Sequence, residues 1–395
     1  MVAAFSFQGF LKKEIETLRD AGLFREMKTI DGRQGPWVEM KGRKILLLAS
    51  NDYLGLASDP ELAKTFQEAV ERYGTGSGAS RLISGNMVPH EKLERALAEF
   101  KGTESALLFN SGYHAGIGTI PALFGKGDLI LCDKLNHASL LDGCRLSRAK
   151  VFKYPHKDCA ALRKLLDRNQ HYKKKLILTD GVFSMDGDIA PLPDLADLAD
   201  EFGAALMVDD AHATGVLGKN GRGTPEHFDL APDRVDIHMG TLGKALGCFG
   251  AFIAGREELI RFLMNKARSF IFTTALPPAL VATTAKALEM ARDNPSRRVR
   301  LWENACYLRE GLRNLGLNVM ESETPIIPIL TGDSASAMKL SARLLEEGVF
   351  VQGIRPPAVP AGKARLRVTV TAAHSTEDLT FALRCFQRVW EKKGK

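Results

Sequence analysis

Short apolar runs bounded by turn residues recur along the middle of the chain and predict buried β-strands. They lie at residues 106–109, 129–132, 176–178, 205–208 and 251–254. Between the third and fourth runs, apolar residues recur at helical spacing from Leu192 to Phe202, which predicts one strand–helix–strand unit. This alternation is typical of an α/β fold with a large, mostly parallel central sheet, in which ligands bind at the carboxyl ends of the strands.

The two ends of the chain follow other patterns and divide it into three predicted parts. Residues 11–18 form an amphipathic helical pattern, and Gly- and Pro-containing segments follow it. After about residue 290 a helical stretch, an apolar run at 326–330, a helix at 337–345 and a strand at 365–371 succeed one another. We therefore expect an N-terminal arm over 1–44, a large domain over 45–288 and a smaller α+β domain over 289–395.

Composition restricts the class of protein. The 395 residues are 45% hydrophobic and 26% charged, which is usual for folded globular domains and argues against disorder. No apolar run approaches the roughly 20 residues that span a bilayer, and residues 1–10 lack the pattern of a signal peptide, so a cytoplasmic location is expected. The six cysteines are widely spaced without a C-x-x-C pair, which favours buried thiols over zinc sites or disulfides.

The net charge of +7 changes this picture only slightly. Lysines and arginines are scattered, without a basic arm or a patch interleaved with aromatic residues, so neither nucleic acid nor membrane is an expected partner. A polyanionic small molecule, such as a phosphate-bearing cofactor or a coenzyme A thioester, fits the same charge.

Two acids and a histidine follow the apolar run at 205–208: Asp209, Asp210 and His212. A carboxylate at this end of a sheet could hold a heteroaromatic ring nitrogen in its protonated form, because a nearby negative charge raises that nitrogen's pKa. Capping of a following helix is an equally good explanation from this segment alone. A metal site with Asp209 and His212 as ligands is weaker, since no further ligand cluster is apparent, and no metal is expected.

A lysine among glycines and a threonine ends the segment at residues 239–244, MGTLGK. A desolvated lysine loses its proton more readily and can react with an aldehyde, which makes Lys244 a candidate for covalent catalysis. The segment is not a phosphate loop, because His238 and Ala245 stand where that motif needs glycine and Ser or Thr. A surface lysine on a turn is the simpler alternative for such a segment.

Three other segments are weaker signals. Residues 106–116 pass from a strand through a small-residue turn toward a helix and could seat a phosphate, although an ordinary strand-to-helix turn is commoner. His137 follows a predicted strand and could stack on a planar ligand, or simply cap a helix. Residues 74–79 match a dinucleotide-binding fingerprint, but they follow a helical stretch instead of a strand, so that match is rejected.

Taken together, these segments resemble the α-oxoamine synthases of the fold-type I pyridoxal-phosphate superfamily. The motifs that carry the resemblance occur in the family's order at residues 51–56 (NDYLGL), 76–78 (GSG), 136–139 (NHAS), 180–188 (DGVFSMDGD), 209–212 (DDAH) and 241–244 (TLGK). The resemblance implies a homodimeric acyltransferase that uses pyridoxal 5'-phosphate.

The resemblance also implies roles for individual residues. Lys244 would bind the cofactor covalently and act as a base, Asp209 would pair with the ring nitrogen, and His137 would stack on the ring. His212 completes the set expected to act in catalysis. Ser184 and His212 would contact the ring-hydroxyl side of the cofactor. The expected phosphate contacts are Gly112, Tyr113 and Thr241 from the same subunit, and Thr273 and Thr274 from the neighbouring subunit.

The segments at 354–360 and 365–367 are most similar to the branch that condenses L-alanine with a pimeloyl thioester in biotin biosynthesis, with loss of CO2. Arg367 would bind the amino acid carboxylate. The other expected substrate contacts are Arg25, Asn51, Ser77 and Ala358. Ala358 departs from the threonine common in that branch, and Ala245–Leu246 replaces a usual Gly-Phe.

Several alternatives stay open at this point. Within the family, a glycine C-acetyltransferase, 5-aminolevulinate synthase or serine palmitoyltransferase would share the machinery and differ in substrates. A nicotinamide dehydrogenase is disfavoured, because the dinucleotide-binding match at residues 74–79 follows a helical stretch instead of a strand. A transcription regulator on this fold would need an added DNA-binding domain, for which the residues before the core leave little room.

Overall fold

The structure is a computed structural model that describes residues 5–391. Within that range the chain forms fourteen α-helices: α1 (Phe7–Asp20), α2 (Pro60–Tyr73), α3 (Val88–Lys101), α4 (Gly112–Leu123), α5 (Ala138–Ser147), α6 (Cys159–Arg168), α7 (Leu192–Phe202), α8 (Thr224–His227), α9 (Glu257–Lys266), α10 (Arg268–Ile271), α11 (Pro278–Asp293), α12 (Ser296–Asn314), α13 (Ser334–Glu346) and α14 (Thr376–Glu391).

The same residues form thirteen β-strands: β1 (Trp37–Met40), β2 (Arg43–Leu47), β3 (Ser105–Phe109), β4 (Leu129–Asp133), β5 (Lys150–Tyr154), β6 (Lys175–Asp180), β7 (Ala205–Asp209), β8 (Ile237–Thr241), β9 (Ala251–Gly255), β10 (Ile326–Gly332), β11 (Val349–Phe350), β12 (Gln352–Ile354) and β13 (Ala364–Thr369). All five predicted strands of the large domain are present, and α7 begins and ends at the predicted residues.

Seven strands form the central sheet, in the order β3-β9-β8-β7-β6-β4-β5. Strands β5, β4, β6, β7 and β8 pair in parallel, while β9 runs antiparallel to both β8 and β3. Every residue of β4, β6 and β9 is buried, which is the pattern of strands covered on both faces. The prediction of a mostly parallel sheet is confirmed, and the carboxyl ends of β3, β4, β6, β7 and β8 meet at one edge.

Two three-stranded sheets lie outside the central sheet. One has the order β10-β13-β12 and is antiparallel, in agreement with the predicted C-terminal α+β unit. The other has the order β1-β2-β11, and β2 pairs in parallel with β11. Because β2 crosses the predicted boundary at residues 44 and 45, the chain next to that boundary packs with strands from the C-terminal part. The domain bounds stay a prediction.

One large hydrophobic cluster joins the parts of the chain. It includes Leu54 near the N-terminal strands, Leu242 beside the end of β8, and Leu366 in β13, and all three are fully buried. The C-terminal part is therefore packed against the edge of the central sheet where ligands are expected. No helix within residues 5–391 is long and apolar enough to cross a membrane.

Candidate active site

The carboxyl ends of the central strands surround one cavity of about 230 Å³. Its walls are formed by Gly112, Tyr113, His137, Ser139, Asp180, Val182, Ser184, Asp209, Ala211, His212, Met239, Thr241 and Lys244. Eight of these thirteen residues are predicted cofactor contacts. The structure thus brings together, from strands and turns far apart in the chain, most of the side chains that the motifs had singled out.

Lys244 is held by a tight turn that joins β8 to β9. Three backbone hydrogen bonds close this turn, from Leu242 N to Gly250 O at 2.9 Å, from Gly247 N to Lys244 O at 2.9 Å and from Cys248 N to Leu242 O at 3.0 Å. Gly247 has φ +63°, and a Cβ there would lie 2.3 Å from Ala57 N, so only glycine fits. The turn therefore fixes the backbone that carries the lysine.

The Lys244 amine lies in the cavity with its Nζ 3.1 Å from Nε2 of His212. Burial lowers the pKa of Lys244 to about 8, which Asp209 partly opposes and Arg367 reinforces. Burial, followed by the charge on Lys244, also holds the pKa of His212 well below its ordinary value. A lysine with a lowered pKa beside a neutral histidine is suited to reaction with an aldehyde and to proton transfer.

Two acids, Asp180 and Asp209, are register partners at the ends of the paired strands β6 and β7. Burial raises the pKa of Asp209 to about 6, although Lys244 and the Ala211 N–H, which donates to Oδ1 at 2.9 Å, favour the charged form. Burial, and then the charge on Asp209, raises the pKa of Asp180 far above its usual range. Near neutral pH, Asp209 is the charged member of this pair and Asp180 the protonated one.

The second acid of the DDAH motif points away from the cavity. Asp210 forms a buried ion pair with Lys101, with 2.9 Å between Oδ2 and Nζ, and accepts a hydrogen bond from Thr224 Oγ1 at 2.6 Å. Lys101 Nζ also donates to the Arg222 carbonyl. This network anchors the segment that follows β7, and it leaves Asp209 as the acid that faces a ligand.

The opposite wall of the cavity carries an anion-binding geometry. Helix α4 begins at Gly112 with Ser111 as its N-cap, and the free N–H groups of its first turn, with Thr241, border the cavity. A Cβ on Gly112 would lie 2.9 Å from Thr241 Cγ2, so glycine permits this close approach. His137, the N-cap of α5, lies beside the cavity, and its pKa is lowered by burial and by Lys244.

Arg367 of β13 brings a buried positive charge to the same place. It donates from Nε to the Ser184 carbonyl at 2.6 Å, from Nη1 to Thr369 Oγ1 at 3.1 Å and from Nη2 to Asn51 Oδ1 at 3.1 Å. These three acceptors are uncharged, and within residues 5–391 no carboxylate forms an ion pair with Arg367. A guanidinium has five N–H donors, so donors remain for an anionic ligand.

Besides Asn51, Ala358 and Arg367, four predicted site residues lie outside the cavity. Ser77 donates to the Leu276 carbonyl at 2.6 Å, and Asn110 Nδ2 donates to Thr273 Oγ1 at 3.1 Å and to the Thr274 carbonyl at 2.9 Å. Arg25 is exposed on the N-terminal segment. Their expected roles stay predictions, and those of Thr273 and Thr274 concern a neighbouring subunit.

Ala358 lies in a second cavity of about 280 Å³ that shares Ser184 with the first. Apolar side chains from Leu135, Phe183, Met185 and Val359 form part of its wall. The charged or basic residues at its border are Lys134, His156, Lys363, Arg365 and Asp186, of which Arg365 and Asp186 form an ion pair. An apolar space with basic residues adjoins the cofactor cavity at Ser184.

Sequence reasoning missed two residues of this site. Asp180 was quoted only as part of a motif, yet it lies in the cavity wall beside Asp209. Tyr53 belongs to the NDYLGL motif, and its hydroxyl lies 2.6 Å from Nδ1 of His212. The signal for Asp180 was its position at the end of a buried strand, whereas nothing in the local sequence connects Tyr53 with His212.

These features define a cavity at the carboxyl edge of a mostly parallel sheet, with a buried lysine and the start of a helix in its wall, which suits a phosphate-bearing cofactor that reacts with a lysine. The chain belongs to the aminotransferase class I and II family, which matches residues 43–386, and within it to the α-oxoamine synthases, so its cofactor is pyridoxal 5'-phosphate. The family, fold class and cofactor expected from the motifs are confirmed.

Individual relatives are similar over nearly the whole chain. An 8-amino-7-oxononanoate synthase from Geobacter sulfurreducens is 54% identical over 96% of this chain and 98% of its own length, and one from Symbiobacterium thermophilum is 51% identical over 98% of both. Among solved structures, Sphingomonas wittichii serine palmitoyltransferase has a TM-score of 0.93 at 35% identity, over 99% of both chains. The 8-amino-7-oxononanoate synthase from Francisella tularensis has a TM-score of 0.77 at 30% identity, over 89% of this chain and 99% of that one.

Proposed function

We propose that the protein condenses L-alanine with a pimeloyl thioester, on coenzyme A or a carrier protein, to give 8-amino-7-oxononanoate, the free thiol and CO2 for biotin biosynthesis. In this reaction a bond forms between the alanine α-carbon and the thioester carbonyl carbon while the C–S bond breaks, and the alanine carboxylate leaves as CO2. The names of relatives at 49–54% identity support this choice of substrates.

The observation that carries the proposal is the buried, uncompensated Arg367 close to Lys244. Burying a positive charge costs free energy unless a partner of opposite charge is supplied. Arg367 is 7% exposed, and its hydrogen bonds to Asn51, Ser184 and Thr369 leave the charge unneutralised. The carboxylate of an amino acid would supply the missing charge and place the α-carbon near the lysine.

The residues that line the cavity have the chemical groups needed to bind pyridoxal phosphate. The phosphate would be held by the start of α4 and Thr241, the ring nitrogen by Asp209, one ring face by His137, and the ring-hydroxyl side by His212 and Ser184. When bound, the cofactor supplies a protonated ring that accepts electron density from the substrate's α-carbon. Asp209 would keep the proton on the ring nitrogen, because the charged member of the Asp209–Asp180 pair favours a positive charge next to it.

Lys244 is the group that moves protons at the α-carbon. Its lowered pKa provides a substantial neutral fraction near neutral pH, and only the neutral amine can accept a proton. The neutral His212 next to it does not add a competing positive charge. We assign the removal and the return of the α-proton to Lys244 on this basis.

The second cavity is the proposed site for the acyl chain of the thioester. It borders Ser184, so a chain lying there would have one end next to the reacting α-carbon. Its apolar residues, including Phe183 and Val359, suit methylene groups. Arg365 and His156 already pair with carboxylates, so Lys134 and Lys363 are the basic residues at its border that suit an anionic end group. Ala358 leaves this wall without the hydroxyl that a threonine would contribute.

A homodimer with shared active sites completes the proposal. Phe272 is 70% exposed and Tyr113, a cavity residue, is 45% exposed. Exposed aromatic side chains in the cavity wall and next to Thr273 favour coverage by another protein surface. A second copy of the chain would cover them and could bring Thr273 and Thr274 to the phosphate, as the resemblance implies. A mass of twice the chain mass for the cofactor-loaded protein in analytical ultracentrifugation would support the homodimer. Location in the cytoplasm stays a prediction.

One other member of the family has a specific observation in its favour. The serine palmitoyltransferase structures superpose with a TM-score of 0.93, above the 0.77 of the Francisella tularensis synthase. Sequence identity over nearly full-length matches argues the other way: the Geobacter sulfurreducens synthase is 54% identical to this chain, against 35% for the Sphingomonas wittichii palmitoyltransferase and 30% for the Francisella tularensis synthase. Identity reflects the pocket side chains more directly than overall superposition, so we favour alanine and a pimeloyl thioester.

The experiment is thiol release by the cofactor-loaded protein with three substrate pairs under the same conditions. The pairs are L-alanine with pimeloyl-CoA, glycine with acetyl-CoA, and L-serine with palmitoyl-CoA. Preference for the first pair, by at least about tenfold in kcat/KM, is expected. Preference for the glycine pair would transfer the protein to the acetyltransferase branch, and preference for the serine pair to the palmitoyltransferase branch.

A further inference from the structure

Tyr53 lies behind His212, on the side away from Lys244. The Tyr53 hydroxyl is 2.6 Å from Nδ1 of His212, and the other ring nitrogen, Nε2, is 3.1 Å from Nζ of Lys244. Tyr53 is 1% exposed and His212 is 8% exposed. The histidine therefore bridges a phenol and the lysine amine. The position of its ring proton decides whether Nζ of Lys244 faces an N–H donor or an unprotonated nitrogen.

A proton count around Tyr53 determines the direction of its hydrogen bond. A phenol has one proton to donate, and burial raises the pKa of Tyr53 to about 12, so this proton stays in place at neutral pH. The hydroxyl has two candidate acceptors, His212 Nδ1 at 2.6 Å and Asn51 Oδ1 at 3.5 Å. The shorter contact takes the proton, because 3.5 Å is at the limit for such a bond. Asn51 Oδ1 accepts from Arg367 instead.

The direction of this bond then determines the form of the imidazole. The other titratable or charged groups that act on the His212 ring are Lys244, Arg367 and His137, and none of them stabilises a positive charge there. The ring is therefore neutral and carries one proton. Since Nδ1 accepts from Tyr53, that proton is on Nε2, the nitrogen that faces Lys244.

We infer that Tyr53 is a positioning residue for the reaction: its hydroxyl sets the tautomer of His212 so that Nε2–H points at Lys244. An N–H directed at Nζ can donate to a neutral amine but opposes an ammonium, which has only donors. Tyr53 thereby favours the form of Lys244 that can accept a proton.

The test reads the tautomer directly. The full-length protein, labelled with ¹⁵N-histidine, is loaded with pyridoxal phosphate, with a cofactor-free sample in parallel, and the two ring nitrogens of His212 are identified by their loss in His212→Gln. We expect a protonated Nε2 and an unprotonated Nδ1 in the loaded sample near neutral pH, and in the cofactor-free sample above pH 8, where the Lys244 amine is mainly neutral. In Tyr53→Phe we expect the Nδ1 signal to move toward that of a protonated nitrogen, because Nδ1 has lost its donor.

A matched control is available in Tyr154→Phe. Tyr154 is also 1% exposed, and it lies in β5, outside the cavity. This variant should leave the His212 signals unchanged. In turnover, Tyr53→Phe should lower kcat by about tenfold, the value of one buried hydrogen bond, and change KM for alanine by less than about twofold.

Two results would overturn the inference: a protonated Nδ1 in the loaded wild-type protein, or His212 signals that are the same in wild type and Tyr53→Phe. If Tyr53→Phe does not fold, the wild-type spectrum alone decides. The inference deepens the proposed function and rests on it only for the use of the proton. Because the spectra need no amino acid or thioester, a wrong substrate assignment would leave them as expected and appear only in the thiol-release assay.

Discussion

Arg367 and Asn51 are 316 positions apart in the chain and are joined by a hydrogen bond of 3.1 Å from Nη2 to Oδ1. This contact connects the C-terminal strand β13 with the segment that precedes α2. It also fixes the plane of a guanidinium that lacks a carboxylate partner within the described part of the chain. The contact therefore helps to position the guanidinium that we propose binds the substrate carboxylate.

From this contact we predict that Arg367→Leu raises KM for L-alanine by about 30-fold, since hydrogen bonds to charged groups contribute roughly 2 kcal/mol. Arg367→Lys keeps the charge but loses the planar fork, so an intermediate effect is expected. Steady-state kinetics with varied alanine measures both. An unchanged KM for alanine in the leucine variant would place the carboxylate site elsewhere.

The pair Asp209 and Asp180 allows a prediction with its own control. Because Asp209 is the charged member, Asp209→Asn removes the charge that holds the ring nitrogen's proton, and we expect kcat to fall by roughly 1,000-fold. Asp180 is protonated, and an amide resembles a protonated acid, so Asp180→Asn should keep kcat within about tenfold. The readouts are turnover and exchange of the alanine α-proton in D2O. The reverse ranking would exchange the roles of the two acids.

Secondary structure could be predicted from sequence where one local pattern decides it. Helix α7 has its apolar residues at helical spacing, and the strands β4, β6, β7 and β9 are short apolar runs. Residues 239–241 are different. Their glycine and threonine do not predict a strand, yet these residues belong to β8, because pairing with β9 from Met239 to Thr241 overrides the local preference.

The sequence predicts only those residues of the candidate site that lie in a motif with a recognisable chemical role. Lys244, Asp209 and His137 follow strand ends and carry reactive groups, so the family motifs identified them. Tyr53 contacts a residue 159 positions away, and this pairing depends on how the chain folds. The expected contacts of Thr273 and Thr274 need a second chain, and no pattern within one chain can establish them.

Covalent attachment of the cofactor is predicted at Lys244. Borohydride reduction of the loaded protein should fix the cofactor to the peptide that contains Lys244, as detected by mass spectrometry. Lys244→Ala should abolish turnover and leave the fold intact, since the amine lies in a cavity and supports no salt bridge within residues 5–391. Lys175→Ala, at another largely buried lysine outside the cavity, should keep the label and the turnover. Label on any other lysine would contradict the assignment.

His156 provides a prediction about stability and pH. Its Nδ1 lies 3.1 Å from Asp133 and its Nε2 lies 2.9 Å from Asp188, so both ring nitrogens donate and the ring is charged. Burial alone would lower the pKa of His156, but hydrogen bonds and charges from Asp133 and Asp188 raise it to about 9, from 6.5. The contribution of His156 to stability is therefore fully present below pH 6.5 and is lost as pH rises through about 9.

We accordingly expect His156→Gln to lower the free energy of unfolding by about 2 kcal/mol at pH 6.5, with the difference from wild type shrinking steadily toward pH 9. Denaturant titrations at several pH values measure this difference. His171→Gln, at an exposed histidine, is the control and should match wild type throughout. Because Asp188 ends the segment that carries Ser184 into the cavity, loss of the His156 charge should also weaken cofactor retention at the same pH values. A difference that grows with pH would mean that His156 is neutral in the folded protein.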